Sequence, residues 1–277
     1  MPLPNQAATL LISCLTLAVA APAAAIVGGT ATTSFGQVSN GVQITENWVL
    51  TARHVGVAVD DTFANGYGSA IVGARYDLGP GPTLVNDLAL LRLTTPIKAP
   101  ALALLSDLLP SGSPVPPLAV TIATGRNQVP RGYGQTTLAE VIDKVELDVN
   151  GVLGDYAVNW LVTYDAGHGA PYVQGGDSGG GLFLGHVRDS AGAAMLGIAS
   201  AQVQFDEAGG GGYGSAFVQL AAYRNWIDST MLQDTTDLQT ARWVSAVPEP
   251  LTASLWLAGL LVTAGMGARR RRSHSAR

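Results

Sequence analysis

Short apolar runs broken by Gly, Pro, Asn and Asp recur through the middle of this 277-residue chain, a spacing that predicts an all-β protein. Val38–Ile44 and Trp48–Ala52 are expected as strands joined through Glu46-Asn47, and Ser69–Tyr76 as another. Leu88–Leu93 is a leucine-rich strand. Val145, Leu147 and Val149 alternate with Lys144, Glu146 and Asp148, the period-2 pattern of a half-buried strand. Val158–Tyr164, Gly181–Leu184, Met195–Val203 and Ser215–Leu220 complete the set. The Pro-rich stretch Pro110–Pro117 interrupts near the middle and is placed to link two halves. Ala221–Leu232 changes period: Tyr223, Trp226 and Ile227 stand at i, i+3 and i+4, which predicts a helix. Residues 235–246 are polar and are expected as a linker.

Both ends depart from this pattern. An apolar run from Ala7 leads to Ala23-Ala24-Ala25, an A-x-A cleavage site, so residues 1–25 are expected to be a secretory signal peptide, although no Lys or Arg precedes the run. Cys14 is the one cysteine of the chain, and Leu11-Ile12-Ser13-Cys14 resembles a bacterial lipobox. Cleavage after Ala25 leaves a protein with no thiol and no disulfide, whose stability rests on its core. At the other end, Pro248-Glu249-Pro250 is followed by seventeen mostly apolar residues, Leu251–Gly267, and then by Arg269–Arg272. At ~1.5 Å per residue that run is about the shortest helix that spans a bilayer, with the arginines on the cytoplasmic side. The segment 247–272 closely resembles the PEP-CTERM sorting signal of Gram-negative bacteria. The resemblance implies removal by an exosortase membrane peptidase, and a protein held at the membrane by this tail until processed. A plain membrane anchor is the alternative. An exported protein of the cell envelope or surroundings is the expectation. Residues 26–246 carry ten Lys/Arg and nineteen Asp/Glu, a net charge of −9. Such an acidic domain without a basic patch argues against nucleic-acid binding.

The chemistry concentrates at Gly175-Gly176-Asp177-Ser178-Gly179-Gly180-Gly181, one hydroxyl among glycines. A serine becomes nucleophilic when a base is near and backbone N–H groups meet the developing oxyanion. Upstream, Thr51-Ala52-Arg53-His54 ends a strand, and Asp87 opens Leu88-Ala89-Leu90-Leu91-Arg92-Leu93. The order His, Asp, Ser is one of the known triad orders. Of the other histidines, His168 and His186 lack the strand-end setting and His274 lies in the tail; Asp60 and Asp61 open no such strand. Gly176-x-Ser178-x-Gly180 also fits a nucleophile elbow, but that fold needs an acid and then a histidine after the serine, and alternating helices.

With Ile26-Val27-Gly28-Gly29 at the start and Tyr223-Arg224-Asn225-Trp226-Ile227 at the end, five landmarks stand in order over Ile26–Leu232, and together they resemble a trypsin/chymotrypsin-like serine protease. The resemblance implies two six-stranded antiparallel β-barrels with a C-terminal helix, in a domain spanning 26–234. It implies a serine endopeptidase acting on a protein or peptide, with no cofactor and no metal. The implied catalytic residues are His54, Asp87 and Ser178, with an oxyanion hole from the N–H groups of Gly176 and Ser178. It also implies that a freed Ile26 ammonium pairs with Asp177. Since A-x-A abuts Ile26 directly, with no basic residue before it, signal peptidase is expected to create that terminus. Val55 and Val173 stand where the family usually has disulfide cysteines. The doubled glycine at 175 and 176 leaves the specificity position at Pro171 or Tyr172, neither acidic. Ser200-Ala201-Gln202 takes the place of the usual Ser-Trp-Gly wall, so Tyr172, Ser200, Gln202 and Ser215 are the specificity candidates, and preference for small or uncharged side chains is expected. A catalytically silent homologue serving as a binding module, and a structural protein of the cell surface, are the other readings.

Overall fold

The computed structural model describes residues 26–246 except 81, 115, 127–128, 150–151, 165–168, 206–210 and 235–237. The expected signal peptide with Cys14, the sorting segment 247–272, His168 and His274 lie outside the described residues. Contacts divide the chain into Met1–Val244 and Ser245–Arg277; the elements below all belong to the first.

The strands are β1 (Thr30–Thr32), β2 (Val42–Gln43), β3 (Trp48–Thr51), β4 (Thr62–Asn65), β5 (Gly68–Asp77), β6 (Ala89–Leu93) and β7 (Ala103–Leu105). They continue with β8 (Leu118–Arg126), β9 (Val129–Val149), β10 (Val152–Tyr164), β11 (Gly181–Leu184), β12 (Ala194–Gln204) and β13 (Tyr213–Gln219). A 3₁₀ turn at Leu220–Tyr223 leads into the helix α1 (Arg224–Met231), and β14 (Arg242–Val244) follows.

The protein is all-β with one short helix near the end, in the arrangement of the chymotrypsin-like double barrel. The second barrel closes on six strands, β11-β8-β9-β10-β13-β12, because β11 also pairs with β12. The first has five strands among the described residues, in the order β2-β3-β6-β5-β4, and is open. The strand that follows β6 leaves it: β7 pairs in parallel with β12 and β14.

Alternation explains why Leu88–Leu93 is so rich in leucine. Successive residues of a strand face opposite sides. Val49, Leu91 and Leu93 enter the core of the first barrel with Phe63 and Val72. Their neighbours Trp48, Leu50, Leu88 and Leu90 enter a larger core shared with Trp160, Phe183, Ile198 and Ile227 of the second half. Both faces are buried, so no polar alternation survives. The two valines at the expected cysteine positions are packing residues: Val173 is buried beside Ile26, Leu161 and Phe217, and Val55 packs against the first two cores.

The expected linker 235–246 is in part structured. Within it, Arg242–Val244 forms β14, and Ser106 N–H and Oγ both donate to the Val244 carbonyl, at 2.8 and 3.0 Å. Gln239 exchanges side-chain and main-chain hydrogen bonds with Asn47 at 3.0 and 3.3 Å. Trp243 Nε1 donates to Asp228 at 2.8 Å, and the Arg224 guanidinium lies 5.3 Å from the Trp243 ring centroid. The segment is polar like a linker, but its polar groups are spent on Asn47, on Ser106 next to β7 and on α1. Trp243→Ala is expected to cost about 2–4 kcal/mol through lost packing and hydrogen bonding. At about 2–4 °C per kcal/mol that is a Tm lower by roughly 5–15 °C in a thermal melt. An unchanged Tm would mean that the segment is only a tether.

Candidate active site

His54 is delivered by a 3₁₀ turn, Arg53–Val55, at the end of β3; Gly56, at φ 71°, ends it. Asp87 sits just before β6, fully buried. Pairing of β3 with β6, Thr51 opposite Ala89, brings the two strand ends together. The Asp87 carboxylate accepts from His54 N–H at 2.9 Å, from His54 Nδ1 at 2.7 Å and from Ser200 Oγ at 2.5 Å. A carboxylate only accepts, so the neutral imidazole carries its proton on Nδ1. Nε2 is then the acceptor, and Ser178 Oγ lies 2.8 Å from it. Three residues separated by 33 and 124 positions along the chain therefore form one continuous line of hydrogen bonds.

Ser178 is carried by two interlocked turns, closed by Asp177 N–H to the Gln174 carbonyl at 2.9 Å and Gly180 N–H to the Asp177 carbonyl at 3.1 Å. Gly176 stands at φ 100° and Gly179 at φ 85°, conformations that side-chain-bearing residues rarely adopt. Gly179 N–H donates to Ala199 O at 2.9 Å, which docks the loop on β12 next to Ser200. Asp177 turns inward and is 3% exposed; the Ile26 nitrogen lies 3.3 Å from its Oδ2.

A family model for trypsin matches residues 21–227, well over half of the chain. The chain belongs to the trypsin family. Its serine peptidase domain is therefore shown over that span, and no curated protein matches the chain.

The structure places the other residues named from the sequence of this trypsin-family domain as follows. Ser200, expected on the specificity wall, turns its hydroxyl to Asp87. Ser215 is fully buried and its Oγ accepts from Val173 N–H at 2.8 Å. Both hydroxyls are hydrogen-bonded within the protein. Tyr172 is half-buried and stacks on Tyr213, with centroids 5.3 Å apart and planes at 23°. Its main chain pairs with Val27 at 3.1 and 3.2 Å, tying this position to the Ile26 segment. Gln202 is half-buried on β12, opposite Ser215 on β13. Pro171 is buried, its ring filling the space that Gly134 leaves open. The rejected candidates are engaged elsewhere: His186 Nε2 meets the Thr136 carbonyl at 2.9 Å, and Asp61 accepts from Ala58 N–H at 2.7 Å. Among the described residues no group of three or more His, Cys, Asp or Glu is placed to hold a metal ion.

Sequence reasoning missed Arg75. Its guanidinium donates to the Val57 and Arg53 carbonyls, at 2.5 and 2.6 Å, on either side of His54, and to Asp77 at 2.8 Å. The planar fork fits two carbonyls of one turn as a flexible ammonium does not. In a domain without cysteines, Arg75 pins the turn that carries the histidine. The only sequence signal was an Arg in an expected strand, which reads equally well as a solvated side chain.

Proposed function

We propose that the protein is an exported serine endopeptidase that hydrolyses peptide bonds through an acyl-enzyme on Ser178. The observation that carries this reading is the unbroken line from Asp87 through His54 to Ser178, at 2.7 and 2.8 Å. Ser178 Oγ attacks the scissile carbonyl carbon while its proton passes to His54 Nε2. Asp87 holds the Nδ1–H tautomer and stabilises the imidazolium. The carbonyl oxygen takes the negative charge and is met by the N–H groups of Gly176 and Ser178; one such donor is worth about 3 kcal/mol in the transition state. Collapse expels the amine, which leaves with the proton from His54. Water, deprotonated by His54, then releases the acid and regenerates Ser178. No cofactor enters either half.

On this reading the freed Ile26 ammonium becomes the charged partner of Asp177. Ile26 stands at φ 63°, which a β-branched residue seldom adopts. That angle is defined by the carbonyl carbon of the preceding residue, so hydrolysis of the bond before Ile26 abolishes a strain on the order of 1–3 kcal/mol. Signal peptidase is the proposed agent, since Ala23-Ala24-Ala25 ends where Ile26 begins. Amino-terminal sequencing of the exported protein is expected to read Ile-Val-Gly-Gly; any other terminus overturns this route. The Pro248-Glu249-Pro250 segment with its apolar run and arginines supports transient anchoring and exosortase processing in a Gram-negative envelope. Among the described residues no helix is long and apolar enough to cross a membrane, and the tail lies outside them.

The Tyr172–Tyr213 stack and Gln202 put no carboxylate at the specificity positions, which favours substrates with a small or uncharged residue before the scissile bond. Turnover of peptide substrates differing only at that residue tests the function: neutral residues are expected to exceed Arg or Lys by at least about tenfold, the worth of about 1.4 kcal/mol. No turnover of any of them by correctly processed protein would favour a silent binding module instead.

A further inference from the structure

We propose that Thr124 is a positioning residue for Asp177, and that its hydroxyl holds the loop carrying Ser178 in order before the Ile26 terminus is freed. The inference rests on the peptidase reading above and concerns how that site is switched on.

Asp177 does not depend on Ile26 alone. Thr124 Oγ1 donates to its Oδ1 at 3.0 Å, and Gln174 N–H donates to its Oδ2 at 2.9 Å. The Ile26 nitrogen, at 3.3 Å, is the longest of these three contacts. A buried carboxylate is costly unless hydrogen-bonded, and two of these donors, on Thr124 and Gln174, do not belong to the Ile26 terminus. While Ile26 is joined to Ala25, its nitrogen is an uncharged peptide N–H. Freeing it adds a charge to a carboxylate that is already satisfied in large part. The terminus then adjusts the activity of an assembled loop and does not create the loop.

Thr124 is suited to this by both branches of its side chain. It is fully buried on β8, paired with Gly132 of β9, so its position is set by the sheet. Its methyl carbon lies 2.6 Å from where a Cβ on Gly180 would stand, so it fills the space that Gly180 leaves. One residue thus touches the chain on both sides of Ser178, hydroxyl on Asp177 and methyl on Gly180. Valine keeps the shape and loses the hydroxyl; serine keeps the hydroxyl and loses the methyl.

The test compares wild type, Thr124→Val, Thr124→Ser and Thr124→Ala, each as the form beginning at Ile26 and as the form retaining Ala25. The readouts are kcat on a neutral peptide ester, the fraction of molecules labelled by a fluorophosphonate, and Tm. In wild type, retaining Ala25 is expected to lower kcat by less than about tenfold. In Thr124→Val and Thr124→Ala the same retention is expected to cost a further ten- to hundredfold or so, the range for a hydrogen bond to a charged group. Thr124→Ser is expected to return to within about threefold of wild type, since the hydroxyl is restored. A purely structural role would move Tm but not the ratio between the two forms. Equal ratios in wild type and Thr124→Val, or failure of serine to rescue, overturn the inference. Wild type inactive in both forms is a different result, and overturns the peptidase reading itself.

Discussion

Ser178→Ala is expected to lower turnover of a peptide ester by about a million-fold with no loss of stability. The size follows from the way the three groups act. In the proposed mechanism Ser178 Oγ forms the acyl bond, and His54 Nε2, 2.8 Å away, is the base that takes its proton. Residues that act as one unit lose nearly all their effect when one is removed, and losses on the order of 10⁶ in kcat are typical for the nucleophile or the base. His54→Ala should therefore cost nearly as much, and the double variant little more than either alone. Ser178 is only partly buried and makes no contact that the fold needs, so the Tm of Ser178→Ala should stay close to that of wild type. Steady-state rates and a thermal melt of the three variants check this. Additive losses would mean that His54 and Ser178 do not act together.

Gly179→Ala is expected to damage stability and activity at once. Gly179 stands at φ 85°, and a Cβ there would meet the Asn40 carbonyl oxygen at 2.3 Å and Thr51 Oγ1 at 2.8 Å. Neither neighbour is free to retreat. Thr51 Oγ1 donates to that same carbonyl at 2.6 Å, and Gly179 N–H is held by Ala199 O at 2.9 Å. The left-handed conformation costs about 1–2 kcal/mol for an L-residue, and overpacking typically adds about 1–3 kcal/mol. A total near 3 kcal/mol corresponds to a Tm lower by roughly 6–12 °C. The strain is relieved by pushing the loop away from β3, the strand that leads to His54, so Ser178 and His54 separate. A displacement of about 1 Å at a reacting group costs on the order of a hundredfold in rate. A Gly179→Ala variant with wild-type rate and Tm would show that this close approach does not matter.

These two residues also mark what the sequence made legible. Ser178, His54 and Asp87 each sit in a short motif with its own local logic: a glycine turn, a strand end, the mouth of a leucine-rich strand. They could be picked out because each motif is contiguous, and the structure brings the three into one hydrogen-bonded line. Arg75, Thr124 and the hydrogen bond of Ser200 to Asp87 could not be picked out. They are ordinary residue types whose meaning lies in partners far along the chain: Ser200 is 113 positions from Asp87, and Thr124 is 53 from Asp177. The fold divides in the same way. Val145 to Val149 alternates and lies on β9, but β8 was missed. Its polar positions Thr121 and Thr124 are fully buried and spend their hydroxyls on Gly185 and Asp177, so no alternation marks the strand. β14 reads as linker because polarity dominates it, and a strand of three residues is stabilised by Ser106 and Asp228, not by its own pattern. The second barrel closes with six strands as expected; among the described residues the first is open, and β7 pairs with β12 and β14 instead.

Covalent labelling separates a working Ser178 nucleophile from a silent homologue. Protein beginning at Ile26 is treated with a fluorophosphonate, digested, and the modified peptide located by mass spectrometry. A single phosphonylated residue, Ser178, is expected, with labelling lost in Ser178→Ala and strongly slowed in His54→Ala. Stable, correctly processed protein that takes up no label, or takes it up on another residue, would contradict it.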